Sequence, residues 1–162
     1  MKINATRKGI LASILMIGVS LLIFVSKHSF QNNLQYISYS IYVLAIIWAI
    51  LDYKKNQAGS ASFKNLFNEG FKCFIVVTLF MVIFTFVFLK LQPQLREEMA
   101  VNFKKELTEK GDYTTAEIET RVTQAKDFFV TTFVSTAIFG YLIIGAMVSA
   151  IASAFFAERK FR

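Results

Sequence analysis

Ionisable side chains are missing from the long apolar stretches of this sequence. An ion-carrying or catalytic site inside a bilayer needs such groups within the spans, where they are costly and kept for a purpose. None is present away from the span ends, which counts against a transporter and against intramembrane catalysis. Cysteine is limited to Cys73, so neither a disulfide nor a thiolate metal site can form within the chain. Histidine is limited to His28, in a turn, with no second histidine or cysteine to share a metal. No phosphate-binding glycine loop and no nucleophile motif occurs. The paired carboxylates Glu97/Glu98 and Glu117/Glu119 lie among lysines on helix faces open to water, where solvation rather than acid–base work is their ordinary role. The expectation is no catalytic residue, no metal and no cofactor, and hence a protein that is not an enzyme.

What the chain has is apolar length. It is 55% hydrophobic over 162 residues, clumped into uninterrupted runs instead of spread with a helical or strand period. The longest, Phe128 to Phe156, contains no charged residue. About 20 apolar residues cross a hydrocarbon core of roughly 30 Å, so this run spans with residues to spare. The predicted fold is an all-α integral membrane protein, one membrane domain over 1–162, with spans at about 10–26, 34–52, 71–91 and 128–156. The first run follows Lys2, Arg7 and Lys8 but ends Val25-Ser26-Lys27-His28, without the small residues a signal-peptide cut requires. It therefore reads as an uncleaved span. Tyr36, Tyr39 and Tyr42 at the start of the second span, with Trp48 and Tyr53 near its end, suit the two membrane interfaces.

The connections carry local signals. Ser62 can cap a helix starting at Phe63, and Phe63, Leu66, Phe67 and Gly70 share one face. That piece either lies along the membrane surface or forms the first turns of the third span. Pro93 can open a helix. After it, Leu95, Met99, Phe103 and Leu107 recur every fourth residue among charges, an amphipathic helix of roughly 25 Å that Gly111 stops. Thr114 and Glu117 form a capping box, with Tyr113 and Ile118 placed as its staple. The helix that starts at Thr115 meets no breaker before Phe128 and is expected to run into the fourth span as one rod. Residues of about 94–127 thus read as a helical hairpin standing out of the membrane between spans three and four.

Charge gives the orientation. The N-terminus, 52–72 and the C-terminus together hold ten basic and three acidic residues, whereas Lys27 with 90–127 holds eight of each. The basic excess is a topology signal rather than a nucleic-acid footprint, and it predicts cytoplasmic termini with the hairpin on the outer side.

Two sets of residues are candidates for contact. Gly145, Ser149 and Ser153, with Ala146, Ala150 and Ala154 beside them, form two rows of small residues on the fourth span, where helix backbones can approach closely. Leu95, Met99, Phe103 and Leu107 exceed what Ile118 and Val122 can cover, which suggests a partner surface. The leading functional reading is an accessory or scaffold subunit, with membrane lipid and either a protein partner or a second copy of the chain as its contacts. The alternative is a transporter or a lipid- or small-ligand-binding protein built on outer-leaflet hydroxyls, Tyr36, Ser38, Tyr39, Ser40 and Tyr42 with Thr131, Thr132, Ser135 and Thr136. Hydroxyls bonded to their own helix backbone or to a neighbouring helix would explain the same residues.

The stretch Gly59-Ser60-Ala61-Ser62-Phe63 leading into Glu69-Gly70-Phe71, Pro93 soon after the third span, and Ala116-Glu117-Ile118-Glu119 before a glycine-containing last span resemble the family called domain of unknown function 4199. Ala61 stands where the family form has isoleucine. The resemblance covers nearly the whole chain and implies a small four-span protein of the Gram-negative bacterial inner membrane. It implies no activity and no site residues.

Overall fold

The structure, a computed structural model, describes residues 4–25, 35–57 and 61–157. These form six helices and no strand: α1 (Ala5–Val25), α2 (Gln35–Asn56), α3 (Phe63–Leu91), α4 (Pro93–Lys110), α5 (Thr115–Asp127) and α6 (Phe129–Phe156). Helices α1, α2, α3 and α6 are long and apolar enough to cross a membrane. A helix satisfies its own backbone polar groups, which any lipid-exposed span must do. His28 with its turn, Gly59 and Ser60, and the terminal charges Lys2, Glu158, Arg159, Lys160 and Arg162 lie outside the described residues.

The helices fall into two compact units, one within Met1–Met81 and Ile138–Arg162, the other Val82–Ala137. In the first, α1 turns Ala5, Gly9, Ala12, Ser13 and Met16 inward at helical spacing. It begins at Ala5, ahead of the expected start near 10, because Lys8 is drawn into the same buried stripe. Helix α2 runs to Asn56, past the expected end near 52, and carries Lys54 and Lys55 in its last turn, where cations offset the helix dipole. Its inward face is Tyr42, Ala45, Ile46, Ala49 and Ile50.

Helix α3 is continuous from Phe63, so the segment 63–70 forms its first turns. The Ser62 carbonyl accepts from the Asn65 and Leu66 amides, each at 3.1 Å. The buried residues Leu66, Gly70, Cys73, Phe74, Val77, Thr78 and Met81 make one stripe along it. Leu66 and Gly70 open that stripe, which is why no separate surface helix forms.

The second unit holds the end of α3, α4, α5 and the start of α6. Gln92, at φ −119° and ψ 69°, leaves helical geometry, because a residue before proline is pushed toward the extended region. Pro93 then opens α4. Gly111 closes it at φ 70°, ψ 2°, a left-handed conformation that glycine adopts without a Cβ penalty. Thr114 caps α5: its hydroxyl accepts from the Glu117 amide at 3.4 Å, and Glu117 Oε2 accepts from the Thr114 amide at 2.8 Å. Helices α5 and α6 are not one unbroken rod. Phe128 departs from helical geometry at φ −93°, ψ 2°, for that residue alone. Its amide still donates to the Gln124 carbonyl at 3.0 Å and its carbonyl accepts from Thr132 at 2.8 Å.

Candidate functional site

In the second unit, α4 and α5 present the candidate contact stripe. Lys126 donates to Glu97, and Arg96 lies 3.5 Å from Asp127, so the first turn of α4 is tied to the last turn of α5. These pairs are exposed and contribute little individually. Near the other ends, the Arg121 guanidinium lies 4.3 Å over the Tyr113 ring. Of the four α4 positions, Leu107 is buried, as are Ala100 and Ile118 in the same unit, whereas Leu95, Met99 and Phe103 are half-buried. Val122 is also half-buried. The apolar seam is therefore closed at Leu107 and Ile118 and partly open at Leu95, Met99 and Phe103.

In the first unit, the two small-residue rows of α6 differ. Gly145, Ser149 and Ser153 are buried, Ala146 and Ala150 are half-buried, and Ala154 is exposed. A Cβ at Gly145 would press on the Tyr42 hydroxyl and stand 2.6 Å from Phe74 Cγ. One turn further, a Cβ on Gly70 would stand 2.7 Å from Ser149 Oγ and 3.0 Å from Ile50 Cδ1. The glycine–serine row is thus filled by α2 and α3 of the same chain. The Ser149 and Ser153 hydroxyls have no hydrogen-bond partner among the described residues, so this packing uses their small volume rather than their polarity.

Two of the candidate hydroxyl residues donate to backbone carbonyls within the chain. Tyr42 donates to the Tyr141 carbonyl at 2.8 Å, and Ser40 donates to the Tyr36 carbonyl, one turn back on its own helix, at 2.8 Å. Ser38 is buried, while Tyr36 and Tyr39 are exposed. Thr131, Thr132 and Thr136 are exposed and Ser135 half-buried in the second unit.

One feature escaped the sequence reading. Lys8, its side chain 2% exposed, donates to Asp52, whose side chain is 36% exposed. The ammonium also lies 5.1 Å from the Trp48 ring centroid, and Asn56 Nδ2 donates to the other Asp52 oxygen at 3.3 Å. Counted by segment, both residues are loop charges. The available signal was that Lys8 falls on the Ala5/Gly9/Ala12 face, and that adjacent spans of opposite direction bring the start of one to the end of the next. A buried ammonium needs a partner, and Asp52 with the indole face supplies it.

No group of three or more histidine, cysteine or carboxylate side chains is placed to hold a metal ion among the described residues. A family model described as "Protein of unknown function (DUF4199)" matches residues 7–158. No curated protein and no solved structure matches the chain.

Proposed function

The chain belongs to the DUF4199 family of proteins of unknown function, and from its own residues we propose that it is a non-enzymatic accessory or scaffold subunit of a membrane assembly. In this reading α4 and α5 form a helical hairpin outside the bilayer, and the hairpin is the contact device. The observation that carries it is the partly open seam of α4: Leu95, Met99 and Phe103 are half-buried, with only Leu107 of the four stripe residues closed off. Apolar surface left in water is unfavourable by about 25 cal/mol per Å², so a partner or a second copy that covers the seam gains that much. The small-residue face contributes through Ala146, Ala150 and Ala154, since the Gly145 row is already filled within the chain.

The charge split supports cytoplasmic termini with the hairpin on the outer side, which is the periplasm in the bacterial inner membrane that the family resemblance implies. With Cys73→Ser as background, Asp112→Cys is expected to react with an impermeant maleimide in outer-membrane-permeabilised cells, and Lys64→Cys is not. Reversed labelling would overturn the orientation. For the contact role, Met99→Glu with Phe103→Glu is expected to leave the protein inserted and remove its crosslinked adducts in cells. Identical adducts from parent and double variant would end the scaffold reading. The hydroxyl-based alternative is weakened by Tyr42 and Ser40, whose donors are already used within the chain.

A further inference from the structure

The end of the first unit where α1 begins, α2 ends and α3 begins holds more cations than it neutralises. Among the described residues these are Arg7, Lys8, Lys54, Lys55, Lys64 and Lys72, against two carboxylates, Asp52 and Glu69. Both carboxylates are engaged, Asp52 by Lys8 and Glu69 by Lys72 at 2.8 Å. That leaves Arg7, Lys54, Lys55 and Lys64 outside any direct ion pair among the described residues, with Lys55 acting on Asp52 only through space. Arg7, Lys55 and Lys64 are exposed and Lys54 is half-buried. The packing gathers these helix ends: Lys8–Asp52 joins the start of α1 to the end of α2, and the close approach of Gly70 to Ile50 joins α3 to the same place. The second unit differs, with seven cations and eight carboxylates and four ion pairs among them.

We infer that Arg7, Lys54, Lys55 and Lys64 form a binding site for the phosphate headgroup of an anionic phospholipid. Four like charges outside direct ion pairs repel one another, and a phosphodiester relieves that repulsion. Charge alone would suit any anion. On the same helices, however, Trp48, whose ring the Lys8 ammonium faces, Phe63 next to Lys64 in sequence, and Phe71 are 45%, 46% and 41% exposed, aromatic surface of the kind that suits a membrane interface. Acyl chains cover such surface and inorganic phosphate does not, so it fits a lipid.

The test uses the full chain in mild detergent, titrated separately with phosphatidylglycerol, with phosphatidylcholine of the same acyl chains, and with inorganic phosphate, reading the thermal unfolding midpoint. Phosphatidylglycerol is expected to raise the midpoint while the other two leave it in place. Neutralising all four cations (R7Q/K54Q/K55Q/K64Q) is expected to raise the phosphatidylglycerol concentration at half-maximal shift by about several hundredfold, each cation near an anionic surface contributing on the order of 1 kcal/mol. The charge-keeping set R7K/K54R/K55R/K64R is expected to retain the parent value. Should the neutralised set fail to fold, Lys55→Gln with Lys64→Gln, both at exposed positions, is expected to weaken the response by about thirtyfold, by the same contribution per cation. An equal shift from phosphatidylcholine removes the charge argument, and an equal shift from phosphate removes the lipid. An unchanged half-maximal concentration in the neutralised variant that folds removes the site.

Discussion

Gly145 and Phe74 meet so closely that a Cβ on the glycine would lie 2.6 Å from the phenylalanine Cγ and 2.8 Å from its Cβ. Helices α6 and α3 touch at a point where only hydrogen fits. In lipid, where apolar surface gains nothing by leaving the solvent, such van der Waals contact is what holds helices together. Gly18 on α1 has no atom within 4 Å of the same construction.

A first prediction contrasts these two glycines. Gly145→Leu is expected to destabilise the protein by about 1–3 kcal/mol through overpacking, whereas Gly18→Leu is expected to change little. Thermal unfolding of both variants in detergent measures the difference, and equal midpoints would show that the α3–α6 contact is not holding the first unit.

Ser149 tests size against polarity at the same seam. Its buried hydroxyl lacks a partner among the described residues. Ser149→Ala is therefore expected to be neutral or stabilising by up to about 1 kcal/mol, and Ser149→Leu to be destabilising because Gly70 lies against it. A loss of stability in the alanine variant would mean the hydroxyl has a partner after all.

The Lys8–Asp52 pair calls for a double-mutant cycle. Lys8→Met leaves a carboxylate that can still reach water, while Asp52→Leu leaves an ammonium that cannot. The second is expected to cost more, about 1–3 kcal/mol, below the range for fully buried pairs because Asp52 is partly exposed. The combined variant is expected to recover most of that loss. Additive losses in chemical unfolding would show that the two residues act independently.

The start of α5 carries a pH dependence. The Thr114 backbone amide, and then its hydroxyl, hold the Glu117 carboxyl below the ordinary glutamate range. A carboxylate whose folded pKa is depressed contributes stability above its unfolded pKa and loses that contribution as pH falls through the folded value. Hydrogen exchange at the Ile118 and Val122 amides is thus expected to be slowest near neutral pH, after correction for intrinsic rates, and to lose protection in acid. Thr114→Ala is expected to cost about 1 kcal/mol of local stability and to flatten that dependence. Unaltered protection in the variant would show that the cap does not limit opening of α5.

The sequence by itself determined what is local or imposed by lipid. Uncharged apolar runs became helices because hydrocarbon admits no unsatisfied backbone, and Gly111, Thr114 and Glu117 set the end of α4 and the start of α5 through contacts within a few residues. Only the tertiary structure decided which face of each helix turns inward. Two equally small rows lie on α6, and the rotation that buries Gly145, Ser149 and Ser153 is set by Tyr42, Phe74 and Gly70, distant residues whose shapes no single-helix pattern encodes. The same holds for α1, which begins at Ala5, and for the Lys8 ammonium inside the packed unit. The apolar run alone would start later, but Asp52 and Trp48 stand where the packing of α1 on α2 brings them, and a buried charge is tolerated only where such partners arrive.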